Sequence, residues 1–244
     1  DAVSDLAWSS DGNLILAGSA AGAIHRFSRD GDPLGSWQGH EGGITRICFK
    51  PGNDAALASA GEDGCVRLWD TRSGSETATL AEQQTWVEHL AWTPDGQVLA
   101  AAARKTISLW QGIEPLGVWF DARRQILAMA WAPDGKRLAT AANKGLYLWH
   151  MNNAPATSEP MQLLGFPGAP IALAWQPNGK ALAVGTQDGF LQVWRPAGIR
   201  SGATKRTASQ LTMRGYPGKV ACLAWHPRKP IIATAGGPDV VLWE

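Results

Sequence analysis

Ala130-Trp131-Ala132-Pro133-Asp134-Gly135-Lys136-Arg137-Leu138-Ala139-Thr140-Ala141-Ala142-Asn143-Lys144-Gly145-Leu146-Tyr147-Leu148-Trp149 is the stretch whose reading decides the fold. An apolar run ends at Trp131. Pro-Asp-Gly then makes a tight turn: proline presets φ, aspartate bonds the backbone two residues on, and glycine accepts a left-handed conformation. A strand of small residues follows, then a polar hairpin, then an alternating strand that closes on Trp149. The same pattern recurs six times along the chain. Its first anchor, the aromatic before the turn, is Trp8, Phe49, Trp92, Trp131, Trp175 and Trp225, at spacings of 41, 43, 39, 44 and 50 residues. Its second anchor closes the third strand at Phe27, Trp69, Trp110, Trp149, Trp194 and Trp243.

A period of ~40–45 residues with four short strands per unit predicts an all-β fold, a β-propeller of four-stranded antiparallel blades. Helical repeats are excluded, because the apolar residues alternate between Gly, Pro, Asn and Asp punctuation and never take helical spacing. The 244 residues are ample for a sizeable core, and a net charge of +1 creates no global field toward nucleic acid or membrane. Three cysteines without metal-site spacing argue for free thiols in a reducing compartment. No apolar run is long enough to span a bilayer and no secretory signal is visible. The N-terminus lacks Met, which reads as trimming or as a fragment.

Gly39-His40, the Trp-x-Pro-Asp-Gly turns and Glu62-Asp63-Gly64-Cys65-Val66-Arg67-Leu68-Trp69-Asp70 resemble the WD-repeat β-propellers, most closely the bacterial stand-alone WD-repeat proteins. The resemblance covers the whole chain and implies a single domain over 1–244, with blades at about 1–38, 39–81, 82–120, 121–165, 166–214 and 215–244. It also places His40, Ser59, Asp63 and Trp69 in a structural hydrogen-bond relay from the outer loop to the third strand. A His-Asp-Ser set superficially suggests a hydrolase, but Ser59 falls mid-strand and not on an exposed elbow.

The later blades depart from this pattern. Gln83, Ala122, Phe166 and Tyr216 occupy the His40 position, and blades 3, 4 and 6 lack the Asp63 equivalent. These blades are expected to rest on apolar packing, and the Ala run Leu99–Ala103 suits a central strand squeezed between neighbours. The strand count gives blade 6 no outer strand. That reads as six blades of a seven-bladed ring, with a closed six-bladed ring as the alternative.

No catalytic, cofactor or metal motif is present, and the acidic turn residues such as Asp134 read as turn formers. Cys48 and Cys222, beside inner-strand aromatics, are expected to be buried, and Cys65 accessible. What remains is recognition. The resemblance implies a non-catalytic scaffold that binds a protein or peptide on the face formed by fourth-to-first and second-to-third strand loops. It implies a cytoplasmic location and no obligate small molecule. By register, that face carries Trp86, Glu88, Glu62, Arg104, Gln125 and Lys219, with Trp86 the outlier because it is not a repeat anchor. Arg123 and Arg124 would frame an acidic segment, and Arg195–Gln210 forms a basic insertion too poor in aromatics for nucleic acid. The alternative is a propeller that binds a small ligand or metal in its channel, as an accessory of metal trafficking or as an enzyme. No residue supports metal work.

Overall fold

The structure is a computed structural model and describes residues 1–82, 85–119, 125–142, 145–151, 160–195, 211–213 and 218–243. Every regular element among them is a β-strand. They form two compact units, Asp1–Ala122 and Arg123–Glu244. Five sheets have four strands and one has three, and in each the strands pair antiparallel in chain order.

In the first unit, sheet 1 comprises β1 (Val3–Trp8), β2 (Leu14–Ser19), β3 (Ala23–Ser28) and β4 (Pro33–Gln38). Sheet 2 comprises β5 (Ile44–Lys50), β6 (Asn53–Gly61), β7 (Cys65–Asp70) and β8 (Glu76–Glu82), and sheet 3 β9 (His89–Trp92), β10 (Val98–Ala103), β11 (Thr106–Gln111) and β12 (Glu114–Trp119). In the second unit, sheet 4 comprises β13 (Ile126–Trp131), β14 (Arg137–Ala142), β15 (Gly145–His150) and β16 (Met161–Leu164). Sheet 5 comprises β17 (Pro170–Trp175), β18 (Leu182–Thr186), β19 (Leu191–Trp194) and β20 (Leu211–Met213), and sheet 6 β21 (Cys222–Trp225), β22 (Ile232–Ala235) and β23 (Val240–Trp243).

The turns form for local reasons. The Asp11 carboxylate accepts the Ser9 hydroxyl at 2.6 Å and the Asn13 N–H at 3.0 Å, and Thr93, Asp95 and Gln97 repeat this in sheet 3. Gly96 follows at φ 68°, a conformation that L side chains rarely adopt. Asp134 does more than form a turn. It accepts from Arg137 at 2.8 Å, and that guanidinium lies 4.9 Å from the centre of the Trp175 ring in the next sheet.

Packing is between neighbouring sheets. Leu16, Ile24, Ile44, Ile47, Leu57 and Trp69 close sheet 1 on sheet 2, while Ala58, Ala60, Val66, Val87, Trp92 and Leu99 close sheet 2 on sheet 3. In the second unit Ala139, Leu148, Trp175 and Leu182 join sheets 4 and 5. Directed bonds add register. The Asp5 carboxylate accepts the Ile47 N–H at 2.9 Å. The Trp175 and Trp225 indoles donate to Ala130 and Ala174, each the residue before the preceding sheet's anchor tryptophan. The second strand must stay small to admit its neighbour. A Cβ on Gly18 would stand 2.6 Å from Ile44 Cγ2, and one on Gly185 would stand 2.6 Å from the Val220 carbonyl oxygen. The Ala run of β10 is buried throughout.

Coverage decides exposure. Trp92 and Trp175 are 8 % exposed, whereas Trp8, at the same register in a sheet that no other precedes in its unit, is 56 % exposed beside Val3 and Leu6. Sheet 6, which no sheet follows in its unit, leaves Val240, Leu242 and Cys222 exposed. Cys222 is therefore not the buried thiol expected from its neighbouring aromatic. Cys65 is corrected in the other direction: it opens β7 facing the packed interior and is buried. Cys48 is half-buried, and burial pushes its thiol pKa up.

Gly18→Ala should destabilise the chain by about 1–3 kcal/mol through overpacking against Ile44. In urea unfolding, Gly18→Ala/Ile44→Ala should be more stable than the sum of the two single changes predicts. Strict additivity would show that the two positions do not compete for space.

Candidate functional site

Sheet 2 contains a buried polar chain. Trp69 Nε1–H donates to Ser59 Oγ at 2.8 Å. Ser59 Oγ and His40 Nε2 are 2.6 Å apart, and His40 Nδ1 lies 2.8 Å from Asp63 Oδ1. The donors follow from chemistry. An indole and a guanidinium only donate and an ionised carboxylate only accepts. The Asp63 contact calls for a proton on His40 Nδ1, with Nε2 taking the Ser59 hydroxyl proton, and Arg67 Nη1, which lies 2.8 Å from the same Nδ1, then spends its hydrogen on Asp63 Oδ2. Asp63 Oδ1 also accepts the Cys65 N–H at 3.0 Å, and Oδ2 accepts Arg67 Nη1 at 2.7 Å and the Glu41 N–H at 3.3 Å. The structure thus brings His40, Ser59, Asp63 and Trp69 together in one connected network. It adds Arg67, whose Nε pairs with Glu76 Oε2 at 3.3 Å. Arg67 and Glu76 were missed in the sequence reading. The signal was period two: Arg67 shares a face of β7 with Trp69, while Val66 and Leu68 turn toward sheet 3.

Burial pushes His40 below its ordinary value, against the opposing pull of Asp63, and keeps the ring neutral. Burial alone would raise Asp63, but hydrogen bonds from Arg67, His40 and the Cys65 N–H overcome it and hold the carboxyl well below its usual range. The Ser-His-Asp order has the connectivity of a hydrolytic triad without its access. Ser59 is fully buried mid-strand, and its oxygen already receives the Trp69 indole. The arrangement satisfies buried polar groups.

Other sheets keep fragments of this chain. Trp149 donates to Thr140 at 2.9 Å and Trp243 to Thr234 at 3.0 Å. In sheet 5, Phe166 takes the histidine position and packs on Trp194 with ring centres 5.2 Å apart. Val184 replaces the serine there, and the buried Trp194 Nε1 has no hydrogen-bond partner among the described residues.

Of the residues read as a binding face, Trp86, Glu88, Glu62 and Arg104 belong to the first unit. Trp86 is 56 % exposed, and the next residue, Val87, is 1 % exposed. Glu62 and Arg104 are exposed in the β6–β7 and β10–β11 hairpins, Arg104 at φ 52°. Glu62 is tied in place: its N–H donates to the Gly43 carbonyl at 2.8 Å, and its Oε2 accepts the Gly43 N–H at 3.3 Å. The Glu88 N–H donates to the Ala102 carbonyl at 2.9 Å. Gln125 and Lys219 are exposed in the second unit, before β13 and β21 respectively. Gln83, Ala122, Arg123, Arg124, Tyr216 and the insertion beyond Arg195 through Gln210 lie outside the described residues. Among the described residues, no group of three or more His, Cys, Asp and Glu side chains is placed to hold a metal ion, and no helix is long and apolar enough to cross a membrane.

Asp63→Ala leaves a buried imidazole donor and a guanidinium without their acceptor, each costing ~1–3 kcal/mol. Its melting temperature should fall further than that of Asp95→Ala, which alters only an exposed turn; equal losses would show that the relay contributes nothing beyond a turn. The pH dependence has a definite sign. The folded-state value of His40 lies below its ordinary 6.5, so the unfolded chain takes up the proton first and the contribution of His40 is lost as pH falls below that value. Asp63, depressed below 3.8, adds its loss only at still lower pH. The stability difference between wild type and His40→Phe should therefore narrow from pH 7 to pH 5 in urea titrations. A constant difference would count against a neutral buried imidazole.

A family model described as "WD domain, G-beta repeat" matches residues 1–27, 31–70, 74–111, 114–150, 161–195 and 208–244. Each full-length match runs from the fourth strand of one sheet through the third strand of the next, so the sequence repeat straddles the structural sheet. The chain is 27 % identical over 123 residues to WD repeat-containing protein AAC3 of Dictyostelium discoideum, covering 41 % of this chain and 25 % of that protein. It is 30 % identical over 112 residues to eukaryotic translation initiation factor 3 subunit I of Aspergillus oryzae, covering 46 % and 33 %. It is 28 % identical over 99 residues to an uncharacterised WD repeat-containing protein of Synechocystis, covering 41 % and 28 %. The aligned regions thus span about a quarter to a third of the length of these curated relatives.

Proposed function

Because the chain belongs to the WD-repeat family, we propose that it is a non-catalytic scaffold that binds a protein or peptide partner through the surface bearing Trp86. The observation that carries this reading is an indole 56 % exposed beside a residue that is 1 % exposed. A large amphipathic ring held on a fixed backbone contributes apolar area and one N–H donor at small entropic cost. Trp8 is equally exposed, but it occupies a repeat-anchor register and its exposure reflects an uncovered sheet face. Glu62 and Arg104 add charges of both signs on neighbouring hairpins, which suits tuning of specificity and association rate. Gln125 and Lys219 belong to the same reading by register alone.

The reading includes a bacterial cytoplasmic location, no membrane, no cofactor and no obligate small molecule, and it disfavours nucleic acid; cysteines outside any disulfide suit a reducing compartment. No described residue cluster favours the alternative of a channel ligand, a metal-trafficking accessory or an enzyme.

Trp86→Ala should weaken the partner recovered from the source cell by about 2 kcal/mol, roughly thirty-fold in Kd, with an unchanged melting temperature. Binding that survives Trp86→Ala but is lost when Arg195, Arg200, Lys205 and Arg206 are neutralised would move the working surface to that insertion.

A further inference from the structure

Val87 is attached to sheet 2 by both of its backbone polar groups. Its N–H donates to the Gly61 carbonyl at 3.3 Å, and its carbonyl accepts the Thr45 hydroxyl. Its side chain is buried among Ala58, Ala60 and Val66. Trp86 is the residue immediately before it, so the direction in which the indole leaves the protein depends on where sheet 2 holds Val87. The hold passes through a glycine, the residue type with the least conformational preference of its own.

Gly61 is placed by the relay. A Cβ on it would lie 2.3 Å from His40 Nδ1 and 2.7 Å from Asp63 Oδ1, so imidazole and carboxylate rest against its Cα. The Gly61 carbonyl also receives the Gly64 N–H at 3.2 Å, closing the hairpin whose Asp63 carries the relay. The corresponding step between sheets 5 and 6 provides an internal comparison. There the Val220 N–H donates to the Thr186 carbonyl at 2.9 Å. Thr186, a β-branched residue with restricted backbone freedom, stands in place of Gly61, and Phe166 in place of His40. The relay therefore coincides with the step at which the linking residue is glycine and the displayed residue is tryptophan.

We propose that His40 and Asp63 are positioning residues for Trp86: the relay places the Gly61 carbonyl, that carbonyl holds Val87, and Val87 sets the orientation of the exposed indole. This deepens the binding role proposed for Trp86 and rests on it for its functional meaning. It also assigns Thr45 a part, because its hydroxyl secures the other backbone group of Val87. Glu62 follows the same hairpin, so the relay places two members of the proposed surface together.

The test uses the full chain labelled with 5-fluorotryptophan, the Trp86 fluorine resonance being the one absent from Trp86→Phe. His40→Phe should shift the Trp86 resonance. The Val87 amide should exchange about ten-fold faster, the factor that one lost net hydrogen bond is worth, while the Ala100 amide inside β10 keeps its rate. Thr45→Val, which leaves the relay intact, should move the same resonance. Asp63→Asn, which still accepts from His40 and from the Cys65 N–H, should return it toward the wild-type position relative to Asp63→Ala. An unmoved Trp86 resonance in both His40→Phe and Asp63→Ala, or equal acceleration of the Val87 and Ala100 amides, would overturn the proposal and leave the relay a purely stabilising device. No partner enters these measurements. If the resonance moves as expected but a partner is indifferent to Trp86→Ala, the positioning stands and the binding reading fails.

Discussion

Everything in this protein depends on the contact between one sheet and the next. A four-stranded sheet with apolar side chains on both faces has no interior of its own, and its stability comes from the faces it shares with its neighbours. This constraint explains the small residues of the second strands, where Gly18 and Gly185 leave room for Ile44 and Val220. It explains why the anchor tryptophans differ so widely in exposure despite equivalent sequence surroundings. Trp175 has a sheet across its ring and a carbonyl for its indole N–H, whereas Trp8 has no preceding sheet in its unit.

Polar groups are used sparingly within this apolar scheme. The relay of sheet 2 buries an imidazole, a hydroxyl and most of a carboxylate, and each finds a partner. Sheet 5 solves the same spatial problem with Phe166 tilted against Trp194 and leaves an indole N–H without a partner among the described residues. The two solutions trade differently. The network is directional and fixes a hairpin, while the aromatic pair fills volume and tolerates small rotations. That difference makes sheet 2 the better support for a surface that must hold one geometry.

The lead-in segments between sheets are where fold and recognition meet. Three of them are bonded to the previous sheet: Val87 to Gly61, Val220 to Thr186, and His40 to Gly22. A residue displayed there inherits the rigidity of two sheets without being buried by either. Rigid loops of this kind suit binding, because little conformational freedom remains to be lost on association. Thr45 illustrates the economy of the arrangement. It sits where the pairing of β5 with β6 is interrupted by a bulge, and its hydroxyl lies between the Ala60 carbonyl, at 3.0 Å, and the Val87 carbonyl of the segment leading to the next sheet.

The repeat and the strand order were legible in the sequence because they depend on local chemistry, whereas His40, Ser59, Asp63 and Trp69 could be named as a relay only through their resemblance to the WD repeats. Pro-Asp-Gly makes a turn wherever it occurs, alternation assigns faces, and a period of ~40–45 residues leaves few architectures. Even Arg67 was within reach, since alternation along β7 puts it beside Trp69. Exposure was not legible. Cys222 and Cys65 were each misjudged, because burial belongs to whatever lies across a face and not to the residue or its immediate neighbours. The same limit applied to Asp134, whose carboxylate orients an arginine against Trp175, 41 residues along the chain. The sequence by itself determined the sheets and their internal pairing. Only the tertiary structure decided which side chains are covered and that Val87 is bound to Gly61, because those contacts join residues far apart in the chain that meet only when whole sheets pack.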